Sequence, residues 1–511
     1  MGVKLNIPLP SKGLTVDRPG EYIDSRSSAS VQNMEINRAI IRKRFGTTSI
    51  GSSLAERIQR YFELQVGSST RLFRIGITKV EVLNKATSVW SSVTATPLTG
   101  AADNQISYAF PLLSGTKIAV YTNGLDVIRK CSISGNDAAL GGSPPKAKYV
   151  IAYGPYLLLG HVTDGGNLYP ARVQWPDTGA PETWTGGNAG SVDLIDDPED
   201  ITGFGLFGGL VTVHKTSSIY VGQLVSTSDV FRFERRATGV GTCAEATIQS
   251  LPTGEQIFLA KDGIHLFNGV TAPLIDSPIN DELREEMNPA FLYKAQSVFV
   301  RELDEYWVCI AMGSDTEPQT VYKYNYRSKQ IYKDNRANLT ALGLFINTAE
   351  STWDSRSGTW DSQSGNWDAI ENASLAPVVI LGVSSGVSSE RTADSTNDVT
   401  VAVSSYFDTK DFTAEDVGLP DIDRIIRWKG IELWAKGTAI SVYYSLDGGT
   451  TFTLIDTYTL SSDYPDDDAP INVWFDAVKS RIRFRFLNSS SEGSFTVKKY
   501  QVEATPREAR K

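Results

Sequence analysis

The sequence predicts an all-β fold, a six- or seven-bladed β-propeller followed by a C-terminal β-sandwich, on three observations. Short apolar runs alternate with turn residues over most of the chain, and helical periodicity is scarce. The first five steps between hairpin turns lie close to the ~40–50 residues of one four-stranded blade, and an insert lengthens the last step. From residue 398 onward the texture changes to longer alternating strands with no helix between them. With 41% hydrophobic and 21% charged residues the chain reads as globular, and its 43 glycines suit many tight turns.

Residues 209–269 carry the pattern most clearly. Gly209–His214, Ile219–Leu224 and Val230–Arg236 are runs of strand length, and in the third Phe231 and Phe233 alternate with Arg232 and Glu234. Gln256–Ala260 and Ile264–Phe267 flank Asp262-Gly263, a hairpin signal because a type I′ turn needs positive φ at both central positions. Further hairpin candidates are Thr78-Lys79, Asn123-Gly124, Asp164-Gly165-Gly166, Lys215-Thr216, a longer turn near Ser314 and Ser384-Ser385-Gly386.

Taken in order, residues 1–30 are rich in Pro, Gly and Ser and predict an irregular N-terminal arm. Residues 31–397 form the expected propeller. Its entry segment ends in Arg42, Lys43 and Arg44, a basic triplet that reads either as a partner or DNA contact or as a solvated charge cluster. Residues 191–200 are acidic, but their carboxylates lack the fixed spacing of a calcium loop, so no metal site is expected. Residues 279–291 are the clearest helical candidate, with Asp281 as N-cap and Pro289 ending the pattern. An insert at 352–370 repeats Trp353, Trp360 and Trp367 every seven residues, each followed by Asp. These aromatics either pack on a blade face or offer a row for carbohydrate or a neighbouring subunit. Residues 398–511 form the expected sandwich, with about seven strands.

Within it, Ser445, Asp447, Gly449, Thr451 and Phe452 match the Asp-box hairpin of sialidases and related propellers. Asp447 is expected to accept hydrogen bonds from turn amides, with glycine supplying positive φ and Phe452 anchoring the turn. A single copy points to a role in the fold. A sialidase-like glycosidase would need an arginine cluster, a tyrosine nucleophile with a glutamate partner and a separate acid. Nothing in the order of these residues selects such a set. His161, His214 and His265 are the only histidines, and no Gly-x-Ser-x-Gly, phosphate loop, dinucleotide fingerprint or zinc-protease motif occurs. No catalytic residue, cofactor or metal ligand is therefore assigned.

Cys131, Cys243 and Cys309 are odd in number and far apart, so no disulfide framework is expected. The first 25 residues lack an apolar signal core and no run of 18 apolar residues occurs, which predicts a protein made in the cytoplasm with no membrane-spanning segment. A net charge of −10 argues against tight gripping of nucleic-acid phosphates, though a polyanion can slide past such a surface.

Several stretches resemble the tail nozzle (tail hub) proteins of short-tailed bacteriophages: Val-His-Lys-x-Ser-Ser-Ile-Tyr from Val213, Gly-Val-Gly-Thr at 239–242, the FLAKDGIHLFNG hairpin and the N-terminal NMEINRAIIRKRFG. The tryptophan insert and the C-terminal sandwich fit the same order. The resemblance implies a non-enzymatic virion component, made in the host bacterial cytoplasm and located in the virion tail. It implies a homo-oligomeric ring, a hexamer, below portal and adaptor proteins, contacts with tail fibre or spike proteins, and genomic DNA passing through the lumen without sequence recognition. It also implies an N-terminal strand that closes the propeller, which would spare two sheet edges. The rival reading is a carbohydrate-active or receptor-binding tail protein, either a sialidase-like glycosidase or a glycan-binding module.

Overall fold

The computed structural model describes residues 3–37, 40–226, 230–346, 377–393, 395–466, 469–491 and 493–506. Strands dominate, as expected, and one seven-residue α-helix is found among these residues. Seven small antiparallel sheets follow one another along the chain, over residues 60–92, 107–139, 146–193, 201–238, 249–267, 296–335 and 339–391. Each of the seven turns marked in the sequence falls between the second and third strands of its sheet. In the third sheet Asp164 pairs with Asn167, leaving Gly165 and Gly166 at φ +55° and +84°, the geometry of a type I′ turn. The fifth sheet corrects the expected turn. Ala260 pairs with Gly263, so the turn residues are Lys261 and Asp262, and Gly263 already belongs to the next strand.

Side-chain alternation explains how these sheets stack. In Tyr156–Asp164, Leu157 and Leu159 pack with Val120 and Ile128 of the second sheet, while Tyr156 and Leu158 pack with Phe204 and Val211 of the fourth. The same division recurs in Gln256–Ala260, where Phe258 faces Ile219 and Val221 and Ile257 faces Tyr306 and Val308. The seventh sheet packs on the first. Ala341, Phe345 and Ile380 share a buried cluster with Tyr61, Leu72 and Trp90, and the Tyr61 hydroxyl donates to Ser388 Oγ at 2.8 Å. The edge of the seventh sheet is completed from the far end of the chain: Thr47–Ser49 pairs antiparallel with Ser388–Arg391. On the other side of Thr47–Ser49 the strand Asn397–Asp398 pairs in parallel, and Gly46 permits its approach, because a Cβ there would lie 2.0 Å from the Asn397 carbonyl oxygen.

Two larger sheets follow. One orders Ile471–Lys479, Ile426–Gly437, Phe495–Pro506, Ile40–Lys43 and Met34–Asn37, and Val3–Ile7 also pairs with Phe495–Pro506. The other orders Val31–Gln32, Ser405–Asp408, Arg483–Asn488, Ala439–Ser445 and Thr453–Thr459. Leu433, Val473, Val497 and Val502 from the first and Ile440, Val442, Phe484 and Phe486 from the second belong to one core. That core runs on to Tyr322 and Val308 of the sixth small sheet.

The N-terminal segment differs from the expected irregular arm. Val3–Ile7, Val31–Gln32, Met34–Asn37 and Ile40–Lys43 add to the large sheets, while Gly13–Leu14 and Ser27–Ser28 extend the sixth small sheet next to Ile331–Asn335. Gly13–Leu14 and Ser27–Ser28 are too short to show a periodicity, whereas Val3–Ile7 alternates Val3, Leu5 and Ile7 with Lys4 and Asn6. The helix spans Asn280–Glu286, and Asp281 lies inside its first turn with Ile279 at the cap position and no side-chain cap bond. The first strands after residue 398 are short, Val401–Ala402 and Ser405–Asp408.

Candidate functional site

A cavity of about 470 Å³ lies where the sixth and seventh small sheets meet the large ones. Leu339, Leu381, Val383, Val387, Val401 and Val403 give it apolar walls, and Arg44, Arg336 and Asp398 give it charge. Arg44 is fully buried and donates to Asp398 Oδ1 from Nη1 at 2.9 Å and to Asn33 Oδ1 from Nε at 2.9 Å. Arg336 donates to the same Asp398 oxygen at 3.2 Å. Behind them Lys323 stands 2.5 Å from Asp334, an ion pair without hydrogen-bond alignment, and 4.3 Å above the Trp307 ring. Burial alone would raise the Glu35 carboxyl, but Lys323, Arg391 and Arg42 hold it down at about 2. Burial opposes Asp398 ionising too, and Arg336 and Arg44 reverse the sign. Such a network stands only because every charge has an opposite neighbour. Val399, in the cavity wall, has φ +58°, a conformation that strains a β-branched residue.

Two smaller cavities lie against the first strands of the small sheets. One of about 50 Å³ is lined by Gln105, Ser107, Lys148, Tyr149, Glu245 and Gln296. The other, about 300 Å³, is lined by residues that include Arg60, Tyr108, Gln249, Ser297 and Gly343. Arg60 donates to Gln296 Oε1 at 2.7 Å and lies 5.3 Å above the Tyr108 ring. Burial pushes the Glu245 carboxyl up to about 7, against the pull of Ser107 and Arg60. Burial, then Glu245 and Asp200, push the Tyr149 phenol up as well. Tyr149 therefore keeps its proton at neutral pH, whereas a tyrosine nucleophile needs the opposite shift. The neighbouring Arg57 is engaged by Glu317 at 2.8 Å.

The residues picked out in the sequence lie apart. Arg42 is part-exposed and bonds Glu35 at 3.1 Å, whereas Lys43 and Arg44 are buried, so the triplet is not a solvated cluster. Lys43 donates to Asn488 Oδ1 at 3.3 Å, and burial lowers its pKa to about 8. Alternation along Ile40–Lys43 turns Arg42 to the part-exposed side and Lys43 inward, and Arg44 lies beyond the end of that strand. Trp353, Trp360 and Trp367 lie outside the described residues. In the Asp-box turn the Asp447 carboxylate accepts from Thr451 N at 2.9 Å, Thr451 Oγ1 at 2.6 Å and Ser445 Oγ at 2.7 Å, which holds it well below the usual range. Gly449 has φ +91° and donates to Ser445 Oγ at 2.9 Å, and the Arg485 guanidinium covers Phe452 at 3.8 Å.

In the acidic stretch Asp193 pairs with Arg172 of the third sheet, and Asp197 and Glu199 bind the fourth. Asp197 accepts from Lys215, from Tyr220 at 2.7 Å and from Ser218 at 2.8 Å, and Glu199 accepts from Ser217. Among the described residues no group of three or more His, Cys, Asp or Glu could hold a metal ion, and no helix is long and apolar enough to cross a membrane. His214 is buried against Gln256 at 2.9 Å and lowered by burial to about 4, and His265 bonds the Ala272 carbonyl at 2.8 Å. The three cysteines are free, and burial raises Cys131 and Cys243 to about 12. Glu245, Tyr149 and Arg60 escaped sequence reasoning, since their only shared feature is a place at or next to a first strand.

No family model matches the sequence, and no curated protein does. Among solved structures, the extracellular domain of a hybrid two-component system from B. thetaiotaomicron is 8% identical, with a TM-score of 0.41 over 89% of this chain and 62% of that one. The chain thus spans under two thirds of that protein's length. An exo-beta-1,3-galactanase from Phanerochaete chrysosporium is 10% identical, with a TM-score of 0.29 over 89% of this chain and all of its own. PorZ, a surface component of the type-IX secretion system of Porphyromonas gingivalis, is 11% identical, with a TM-score of 0.35 over 80% of this chain and 46% of that one. Likenesses this loose assign neither a family nor an activity.

Proposed function

We propose that this chain is a structural virion protein, a tail nozzle subunit made of a seven-bladed propeller and a β-sandwich. Six copies would form a ring around the DNA exit channel, below portal and adaptor proteins and in contact with tail fibres or spikes. Packaged DNA would be held back and then pass through without being read. The observation that carries this reading is the weave of residues 3–49. They pair with the large sheets, the sixth small sheet, the large sheets again and then the seventh small sheet. A hinge between the two halves would break strand pairing and the Arg44–Asp398–Arg336 cluster together. Such a block suits a part that must keep a bore at fixed width while DNA moves under pressure. Rings follow from head-to-tail contacts between different patches of neighbouring copies. Electron micrographs of the purified protein, alone and with its adaptor, are expected to contain closed rings; persistent monomers in both would sink the reading.

A second reading has one observation of its own. Glu245, near neutrality beside Arg60 and Tyr149, has the protonation a general acid needs. As a carbohydrate-active tail protein the chain would cleave glycans, and Glu245→Gln would abolish turnover. A glycan-cleavage screen separates the two, since the nozzle reading expects none.

A further inference from the structure

The outer face of one large sheet carries an exposed aromatic in a polar field. Trp474 is 68% exposed although it lies within a strand, Ile471–Lys479. Pairing sets it opposite Gly430, Gly430 opposite Glu503 and Glu503 opposite Lys4. Two residues along, Asn472, Glu432, Gln501 and Asn6 make a parallel row on the same face. Gly430 lets the indole lie down, because a Cβ there would meet Trp474 Cε3 at 3.2 Å and the Val473 carbonyl oxygen at 3.1 Å. One ring face thus rests on bare backbone and the other is open. A shallow depression beside it is lined by Lys4, Glu432, Asn472, Gln501 and Glu503.

We propose that this face binds carbohydrate, with one pyranose ring stacked on Trp474. A sugar ring presents an apolar C–H face of about the width of an indole, edged by hydroxyls that both donate and accept. The amides of Asn472, Gln501 and Asn6 can do either, the Glu432 and Glu503 carboxylates accept, and the Lys4 ammonium donates. Several of these groups already hold one another in place: Lys4 bonds Glu432 at 2.5 Å and Gln501 bonds Asn6 at 2.7 Å. An apolar platform with a few fixed polar groups around it is how small polar ligands are oriented. A stable protein partner would need roughly 800 Å² on this side with an apolar centre, and within the two rows Trp474 is the one large apolar side chain. The site is independent of Trp353, Trp360 and Trp367 and of the nozzle reading.

The test uses the full chain with cellohexaose, maltohexaose, laminarihexaose and chitohexaose as probes, followed by calorimetry and tryptophan fluorescence. At least one is expected to bind. Trp474→Ala should weaken that binding by about tenfold or more, Trp474→Tyr should retain it, and Gly430→Ala, which lifts the ring, should weaken it with the unfolding transition unchanged. Binding by none of the four, or equal binding by the Trp474→Ala chain, overturns the proposal. Loss of rings in electron micrographs of Trp474→Ala, with saccharide binding intact, would give the face to a second copy instead.

Discussion

Single residues set the response of this protein to pH, in opposite directions. Glu245 is raised to about 7, so it favours the fold while protonated. Its contribution is complete below the unfolded value of about 4.3 and disappears as pH rises through 7. His214 is lowered to about 4 and favours the fold while neutral, so its contribution is complete above about 6.5 and disappears as pH falls through 4. Glu245→Gln keeps an uncharged side chain at every pH. Its melting temperature relative to the parent should therefore climb between pH 4.5 and 7, a trend that thermal scans at stepped pH would measure. A flat difference would mean that Glu245 titrates normally. None of this was legible in the sequence, where Glu245 stands beside alanines with no motif. The Asp-box turn was legible, because all of its bonds join residues within six positions of one another.

Elements divide along the same line between local and distant partners. Five of the seven hairpin turns carry Gly, Asn or Asp, which mark a turn whatever surrounds it, while Thr78-Lys79 and Lys215-Thr216 were legible only from the apolar runs beside them. The strand Thr47–Ser49 could not be read from its own residues, because its partner Ser388–Arg391 lies over 300 residues away. Thr48 pairs with Glu390 at the middle of that contact. Thr48→Pro removes an amide donor there and should cost about 1–3 kcal/mol. Hydrogen exchange should locate the loss in the first and seventh sheets, which share the Tyr61–Phe345 cluster. Uniform loss of protection in the third and fourth sheets would contradict this placement. Asp281 failed as a cap for a related reason: the helix start is set by packing of Ile279 and Leu283 in the large core, not by a side-chain bond.

At the scale of the whole molecule, the two halves should behave as one. Arg44 reads in sequence as a surface charge, and only the fold reveals that three chain segments converge on it, at Asn33, Asp334 and Asp398. Arg44→Ala leaves two acidic groups short of a cation and should cost about 3–5 kcal/mol. Denaturant unfolding followed by tryptophan fluorescence and by circular dichroism should shift together. Separation into two transitions would mean that the halves fold independently.

The pairing of Val3 with Ala504 has a further consequence for biogenesis. Val3–Ile7 must wait, without this partner strand, until about five hundred later residues have been made. During that wait seven small sheets can assemble, yet the seventh still needs Thr47–Ser49 delivered to its rim. Prematurely stopped chains should therefore be left with bare strand edges at both places, prone to clump, and a holdase that shields Val3–Ile7 would raise the yield of finished protein.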